Sequence, residues 1–88
     1  MDKKWTDEAW NGYQYFIKND KKSLKKVNDL IKDIERNGNL EGIGKPEALK
    51  GNYSGFYSRH IDDKERIVYV VNDNVLNMIL CGTHYNDK

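Results

Sequence analysis

The sequence has little of several features that would assign it to a class of protein. Its single cysteine, Cys81, cannot form an internal disulfide, and such sparse use of cysteine is typical of a reducing cytoplasm. No apolar run approaches the roughly 18 residues that a membrane-spanning helix needs. Residues 1–4 also lack the apolar stretch of a signal peptide. We therefore expect a cytoplasmic protein that does not associate with a membrane.

The chain also lacks a large excess of charge of one sign. Its formal net charge is +1, although 33% of its residues are charged, so no global attraction to nucleic acid follows. One local concentration of lysines lies in the first half of the chain. It fits either a solvated helix face or a face that contacts RNA phosphates. These lysines are Lys18, Lys21, Lys22, Lys25 and Lys26.

The length and the aromatic content indicate a small domain with many aromatic rings for its size. A chain of 88 residues has room for one core, so we expect a single domain over residues 1–88. Aromatic residues make up 11% of the chain. Some of these rings are therefore available for stacking on bases or on a partner protein.

Two helices are predicted in the first half of the chain. Thr6 is a good N-cap for a helix that continues to about Lys18, and two acidic residues follow it in the first turn. Asp20 caps a second helix, which ends at the Asn-Gly-Asn sequence of residues 37–39. Residues 2–5 are predicted to form a short, weak strand.

The second half of the chain is predicted to be a loop followed by a β-meander. Residues 38–52 contain the only proline and four glycines, and we expect a functional loop without an element of its own. The β-branched and aromatic runs at 55–61, 66–71 and 75–81 are separated by short polar turns, which favours antiparallel strands. The predicted fold class is α+β, in the order β-α-α-β-β-β, with two N-terminal helices packed on one face of a small antiparallel sheet.

Glu47 and His84 are the candidate proton-transfer groups. A carboxylate on a loop can act as a general base, but Glu47 also fits a surface residue paired with Lys45 or Lys50. An imidazole can give or take a proton near neutral pH, but His84 also fits an exposed residue near the end of the sequence. No second Cys or His stands at a metal-ligand spacing, so no metal site and no cofactor are predicted.

Arg66 and its neighbours are the candidate anion-binding groups. Arg66 begins an otherwise apolar strand, where its guanidinium would bind a phosphate or pair with an acidic residue of the preceding turn, Asp63 or Glu65. Arg59 and His60 are adjacent in the preceding strand, so one of them faces each side of the sheet. Hairpin pairing would bring one of the two near Arg66, and the sequence leaves open which one.

Several segments together resemble the Txe/YoeB toxins of the RelE/ParE-like superfamily. The resemblance covers nearly the whole chain, and Tyr85 belongs to it as an aromatic residue that would stack on a base or pack on the sheet edge. It is carried by Trp-Thr-Asp-Glu-Ala-Trp (5–10), Gly-Lys-Pro-Glu-Ala-Leu-Lys (44–50), Ser-Gly-Phe-Tyr-Ser-Arg (54–59), Arg-Ile-Val-Tyr (66–69) and His-Tyr (84–85).

The resemblance implies a metal-independent endoribonuclease that cleaves mRNA in the ribosomal A site, with the RNA 2′-hydroxyl as nucleophile. By the same resemblance, Glu47 is the general base, Arg66 binds the phosphate, His84 is the general acid and Tyr85 is the terminal aromatic. The resemblance gives Lys50 as the loop lysine, and the residues predicted to bind RNA are Lys45, Lys50, Arg59 and His60. Relatives often carry two arginines where this chain has Arg59 and His60, and they often end at the His-Tyr pair, whereas this chain continues to residue 88.

The resemblance also implies partners and leaves alternatives. The expected partners are the ribosome with its A-site mRNA and a cognate YefM/Axe-like antitoxin, whose disordered acidic segment folds onto the toxin. The resemblance also implies that the chain can form a homodimer. One alternative function is a non-catalytic toxin of the same fold that inhibits a protein such as DNA gyrase. Another is a degenerate module that only binds an antitoxin or an operator complex.

Overall fold

The computed structural model describes residues 1–82, which form two helices and a five-stranded sheet. The helices are α1 (Asp7–Asn19) and α2 (Lys21–Asn37), and a 3₁₀ turn covers Gly51–Tyr53. The strands are β1 (Asp2–Trp5), β2 (Glu47–Ala48), β3 (Tyr57–His60), β4 (Arg66–Asn72) and β5 (Val75–Cys81).

Both helices begin at the residues that the sequence predicts. The Thr6 hydroxyl accepts a hydrogen bond from the N–H of Ala9 at 3.0 Å, and the Asp20 carboxylate accepts one from the N–H of Ser23 at 3.0 Å. These bonds satisfy donors that a helix N-terminus leaves without an intrahelical partner. Gly38, with φ of 86°, ends α2 in the left-handed region, as expected for its position.

The sheet confirms the predicted fold class, but one strand pairing differs from the prediction. β3, β4 and β5 form the expected antiparallel meander, and the strand order is β1-β5-β4-β3-β2. β1 runs parallel to β5, with Asp2 opposite Val75 and Trp5 opposite Met78, so the sheet is mixed rather than wholly antiparallel. The two helices take the chain from β1 at one edge of the sheet to β2 at the other edge, and the strands that follow return across the sheet until β5 lies beside β1.

The predicted loop at residues 38–52 contains two short elements, which corrects the expectation that it has none. β2 pairs antiparallel with β3, and the 3₁₀ turn follows it. The pairing continues one residue further, because the N–H of Leu49 donates to the carbonyl of Phe56 at 2.9 Å. Glu47 is therefore held at the edge of the sheet by backbone hydrogen bonds.

The core lies between the two helices and one face of the sheet. α1 packs on α2 and on β5. Cys81 is fully buried in this core, and burial, reinforced by the charge of Glu65, raises the pKa of its thiol to about 12. In residues 1–82 no helix is both long and apolar enough to cross a membrane. The core cluster consists of Ala9, Phe16, Val27, Leu30, Ile31, Ile34, Ile61, Ile67, Tyr69, Leu76, Met78 and Cys81.

Candidate active site

The strand register places three predicted site residues on one face of the sheet. Glu47 in β2 lies opposite Ser58 in β3, and His60, two residues further along β3, lies opposite Arg66 in β4. Directly opposed residues of antiparallel strands project to the same face, as do residues two apart along a strand. Glu47, His60 and Arg66 therefore share a face.

The shared face is the one that the helices leave uncovered. Ile67 follows Arg66 in β4 and pairs with Arg59 on one side and with Cys81 on the other. Ile67 and Cys81 both belong to the core beneath the helices. The alternate residues in these strands, including Arg66, consequently project away from the helices, and we call this side of the sheet the open face.

The Arg66 guanidinium is available on the open face. Its side chain is partly buried, and no hydrogen bond or ion pair joins it to another residue in the described part of the chain. The ion pairs found among residues 1–82 do not include the alternative pairing of Arg66 with Asp63. The Arg66 carbonyl accepts a hydrogen bond from the N–H of Gly82 at 2.9 Å, so the last described residue lies beside it. His84 and Tyr85 lie outside the described residues.

Glu47 is exposed at the edge of the open face, and it makes no ion pair with Lys45 or Lys50. Lys45 has φ of 53°, a left-handed conformation that is uncommon for a residue with a side chain. Pro46 follows it with a fixed φ, so the backbone leading into Glu47 has little freedom. Lys50 is exposed where the 3₁₀ turn begins.

A groove of about 330 Å³ lies next to His60. It brings Lys26 of α2 together with Lys45 and His60, so one member of the helical lysine concentration lies near two predicted RNA-binding residues. Lys25 instead forms an exposed ion pair with Asp29 at 3.1 Å, which fits the solvated-face interpretation for that lysine. The groove carries both signs of charge, since its lining is Lys26, Gly44, Lys45, His60, Ile61, Asp62 and Asp63.

Arg59, the other member of the Arg-His pair, lies on the helix side and has no exposed surface. Its Nη1 donates to the Asp33 carboxylate of α2, and its Nε donates to the Tyr69 hydroxyl at 2.8 Å. It also donates to three backbone carbonyls of the loop that follows α2. These are Gly38 at 2.8 Å, Glu41 at 2.6 Å and Ile43 at 3.0 Å. The side chain therefore has no surface in this structure with which to contact RNA.

This buried network fixes the loop before Glu47. Partial burial raises the pKa of the Asp33 carboxyl, but hydrogen bonds from Arg59 and from the N–H of Ile43 outweigh it, so the pKa lies below its usual value. Burial raises the pKa of the Tyr69 hydroxyl, although the bond from Arg59 opposes the rise. The N–H of His60 donates to the carbonyl of Gly44 at 2.7 Å and fastens the loop to β3.

Ser58 is a feature of the open face that the sequence analysis did not identify. It is fully buried, and its hydroxyl oxygen has no hydrogen-bond partner among residues 1–82. Its neighbour across the ladder on one side is Glu47, and on the other side it is Val68. The alternation of the strand would have placed Ser58 on the same face as His60, but only the register reveals that it lies opposite Glu47.

The part of the chain that the structure describes contains no group of three or more His, Cys, Asp and Glu side chains arranged to hold a metal ion. The groups assembled on the open face are instead a solvated carboxylate, an imidazole and an unpaired guanidinium. This set can remove a proton and stabilise an anion.

Comparison with known sequences and structures identifies the relatives of this chain. Residues 5–85 match the family described as the YoeB-like toxin of bacterial type II toxin-antitoxin system. Toxin YoeB of Escherichia coli strain K12 is 48% identical over 81 residues, which cover 92% of this chain and 95% of that protein.

Two solved structures from Staphylococcus aureus have the same fold. One is a heterotetrameric complex of the YoeB-YefM toxin-antitoxin, with a TM-score of 0.91 and 49% identity over 97% of this chain and 98% of the other. The second is a YoeB dimer, with a TM-score of 0.89 and 49% identity over the same shares of the two chains. The likeness therefore covers the sheet, both helices and the loop that carries Glu47.

Proposed function

The chain belongs to the family of YoeB-like toxins of bacterial type II toxin-antitoxin systems, and we propose that it is an endoribonuclease that cleaves mRNA in the ribosomal A site. The observation that carries this proposal is the open face, where Glu47 and His60 lie together with Arg66, whose guanidinium has no partner in the described part of the chain. Arginine presents a planar set of donors that suits the oxygens of a phosphate. A partly buried guanidinium that has no partner among residues 1–82 is therefore well suited to an anionic substrate.

In the proposed reaction the 2′-oxygen of the RNA attacks the adjacent phosphorus, and the bond from phosphorus to the 5′-oxygen breaks. Glu47 takes the proton from the 2′-hydroxyl, and His84 gives a proton to the departing 5′-oxygen. Arg66 offsets the negative charge that accumulates on the pentacoordinate phosphate. The products are a 2′,3′-cyclic phosphate and a free 5′-hydroxyl, and no metal ion takes part in the proposed step.

The sequence position of His84 supports its proposed role. Gly82 is hydrogen-bonded to the backbone of Arg66, and His84 follows two residues later. Tyr85 is proposed to stack on a base or to orient the phosphate.

The proposed RNA contacts follow from the exposure of three side chains. Lys45, Lys50 and His60 are partly or fully exposed, and we propose that they bind the RNA backbone. Arg59 is not included among them, because its side chain is buried in the network with Asp33 and Tyr69. We propose that Arg59 supports the loop instead.

The proposed partners are a ribosome, which would hold the mRNA in line for attack, and an antitoxin. The S. aureus relative forms a heterotetramer with YefM, and we propose a YefM-like antitoxin for this chain. A dimer like that of the S. aureus relative is also proposed. The proposed site of action is the cytoplasm, where ribosomes translate mRNA.

Primer extension on an mRNA in a purified translation system tests the proposed activity. The wild-type protein is expected to produce cuts that require ribosomes, and Glu47→Gln, Arg66→Ala and His84→Ala are expected to lose them by orders of magnitude. Glu41→Gln is the matched control, because Glu41 is an exposed glutamate of the preceding loop. Wild-type protein that leaves the mRNA intact while translation proceeds would contradict the nuclease proposal and favour inhibition of a protein target.

A further inference from the structure

Ser58 carries a buried hydroxyl that the proposed reaction does not yet use. Ser58 is fully buried, yet its hydroxyl oxygen lacks a hydrogen-bond partner in the part of the chain that the structure describes. A buried polar group normally has such a partner, because leaving it without one destabilises the folded state. Each exception in a native structure therefore calls for an explanation.

The surroundings of Ser58 leave few acceptors for its hydroxyl. Val68, on one side, offers an apolar side chain, and Glu47, on the other side, offers a carboxylate. The Cβ atoms of directly opposed residues in antiparallel strands lie about 4.5–5.5 Å apart. The Glu47 side chain is long enough to bring a carboxylate oxygen back over Ser58. His60, two residues further along β3, is the other polar residue on this side of the strand.

We infer that Ser58 is a positioning residue, whose hydroxyl donates a hydrogen bond to the Glu47 carboxylate when RNA occupies the open face. This inference rests on the proposed function, since it concerns the same general base. Glu47 is exposed and its long side chain can adopt many rotamers, whereas Ser58 is fixed in the sheet. A hydrogen bond from a fixed donor would hold one carboxylate oxygen and leave the other directed toward the 2′-hydroxyl.

Ser58→Ala tests the inference, because it removes the hydroxyl and little else. The single-turnover cleavage rate at saturating toxin is expected to fall about tenfold, which corresponds to about 1.4 kcal/mol. The toxin concentration at half-maximal rate should change less than twofold, since Ser58 has no exposed surface for RNA. The melting temperature should be equal to or above that of the wild type, because a hydroxyl without a partner is lost.

Ser23→Ala is the matched control. Ser23 is also a buried serine, with 8% of its surface exposed, but its hydroxyl donates to the Asp20 carboxylate at 2.8 Å. Its loss should therefore lower the melting temperature and leave the cleavage rate at the wild-type value. Ser58→Ala is expected to lower the cleavage rate, whereas Ser23→Ala is expected to lower the melting temperature. This difference separates positioning of Glu47 from a general effect on the fold.

A double-mutant cycle with Glu47→Gln decides whether Ser58 acts through Glu47. If it does, adding Ser58→Ala to Glu47→Gln should not reduce the residual cleavage rate further. An equal tenfold loss on both backgrounds would overturn the inference, because Ser58 would then act on another group, such as His60. An unchanged rate in Ser58→Ala would also overturn it. Inactive wild-type protein would refute the proposed function itself, and the inference with it.

Discussion

Replacement of Arg59 by methionine should sharply destabilise the fold, because it removes the donor around which the loop before Glu47 is organised. The Arg59 side chain is fully buried, and the side chain of its ion-pair partner, Asp33, is 16% exposed. Methionine keeps the apolar stem but leaves the Asp33 carboxylate, the Tyr69 hydroxyl and three loop carbonyls without this donor.

The expected loss is large relative to the total stability. Removing one partner of a buried ion pair costs about 3–5 kcal/mol. A stability of about 0.05–0.15 kcal/mol per residue gives about 4–13 kcal/mol for a chain of 88 residues. Arg59→Met should therefore remove about a quarter or more of the free energy of unfolding. Tyr69→Phe should cost about 1–2 kcal/mol, because it removes one neutral hydroxyl from the same network.

Urea unfolding followed by far-ultraviolet circular dichroism measures these differences in the free energy of unfolding. They appear as shifts of the midpoint urea concentration, while the dependence of the free energy on urea concentration stays the same. Arg59→Lys is the informative companion variant, because a single ammonium cannot reproduce the separate directions of the guanidinium donors. A loss below about 1 kcal/mol for Arg59→Met would refute the structural role of Arg59. A stable variant with weakened RNA binding would instead support the RNA contact that the family resemblance implies.

Two further predictions concern pH and the loop glycines. The pKa values of Asp33 and Glu35 are lowered in the folded state, so both groups contribute stability above their unfolded values near 4. The melting temperature should therefore fall as the pH drops through the folded-state pKa values, and it should fall less steeply in Asp33→Asn. The same pH dependence in Asp33→Asn as in the wild type would contradict the contribution assigned to Asp33. Gly44→Ala should destabilise the fold more than Gly55→Ala in the same urea assay, because an added Cβ at Gly44 would lie 2.6 Å from Leu30 Cδ2, whereas at Gly55 it would meet no atom within 4 Å. Both glycines have positive φ, so equal losses would mean that backbone strain, and not contact with the core, decides the outcome.

The elements set by local interactions could be predicted from the sequence. Thr6 and Asp20 cap the helices through hydrogen bonds to residues three positions away, so their effect is visible in a short window. The three strands of the meander are likewise separated by short turns. The parallel pairing of β1 with β5 joins residues about 73 positions apart, and no local pattern specifies it.

The candidate site could be predicted in part. Strand alternation showed that Arg59 and His60 face opposite sides of the sheet, but it did not show which side each of them faces. The answer depends on Asp33 and on three loop carbonyls that are distant in sequence. The buried hydroxyl of Ser58 could not be identified from the sequence either. Its burial and its position opposite Glu47 are known only from the structure. The roles of Glu47, Arg66, His84 and Tyr85 stay predictions.

The parallel pairing of β1 with β5 has a consequence for how the protein is made. β5 lies between β1 and β4 in the sheet, and α1 packs against it. During synthesis β1 and α1 emerge first, but the strand that both of them contact is completed only at Cys81. A nascent chain that stops short of β5 therefore exposes the apolar face of α1 and cannot complete its sheet. Folding of this domain must wait until β5 has left the ribosome.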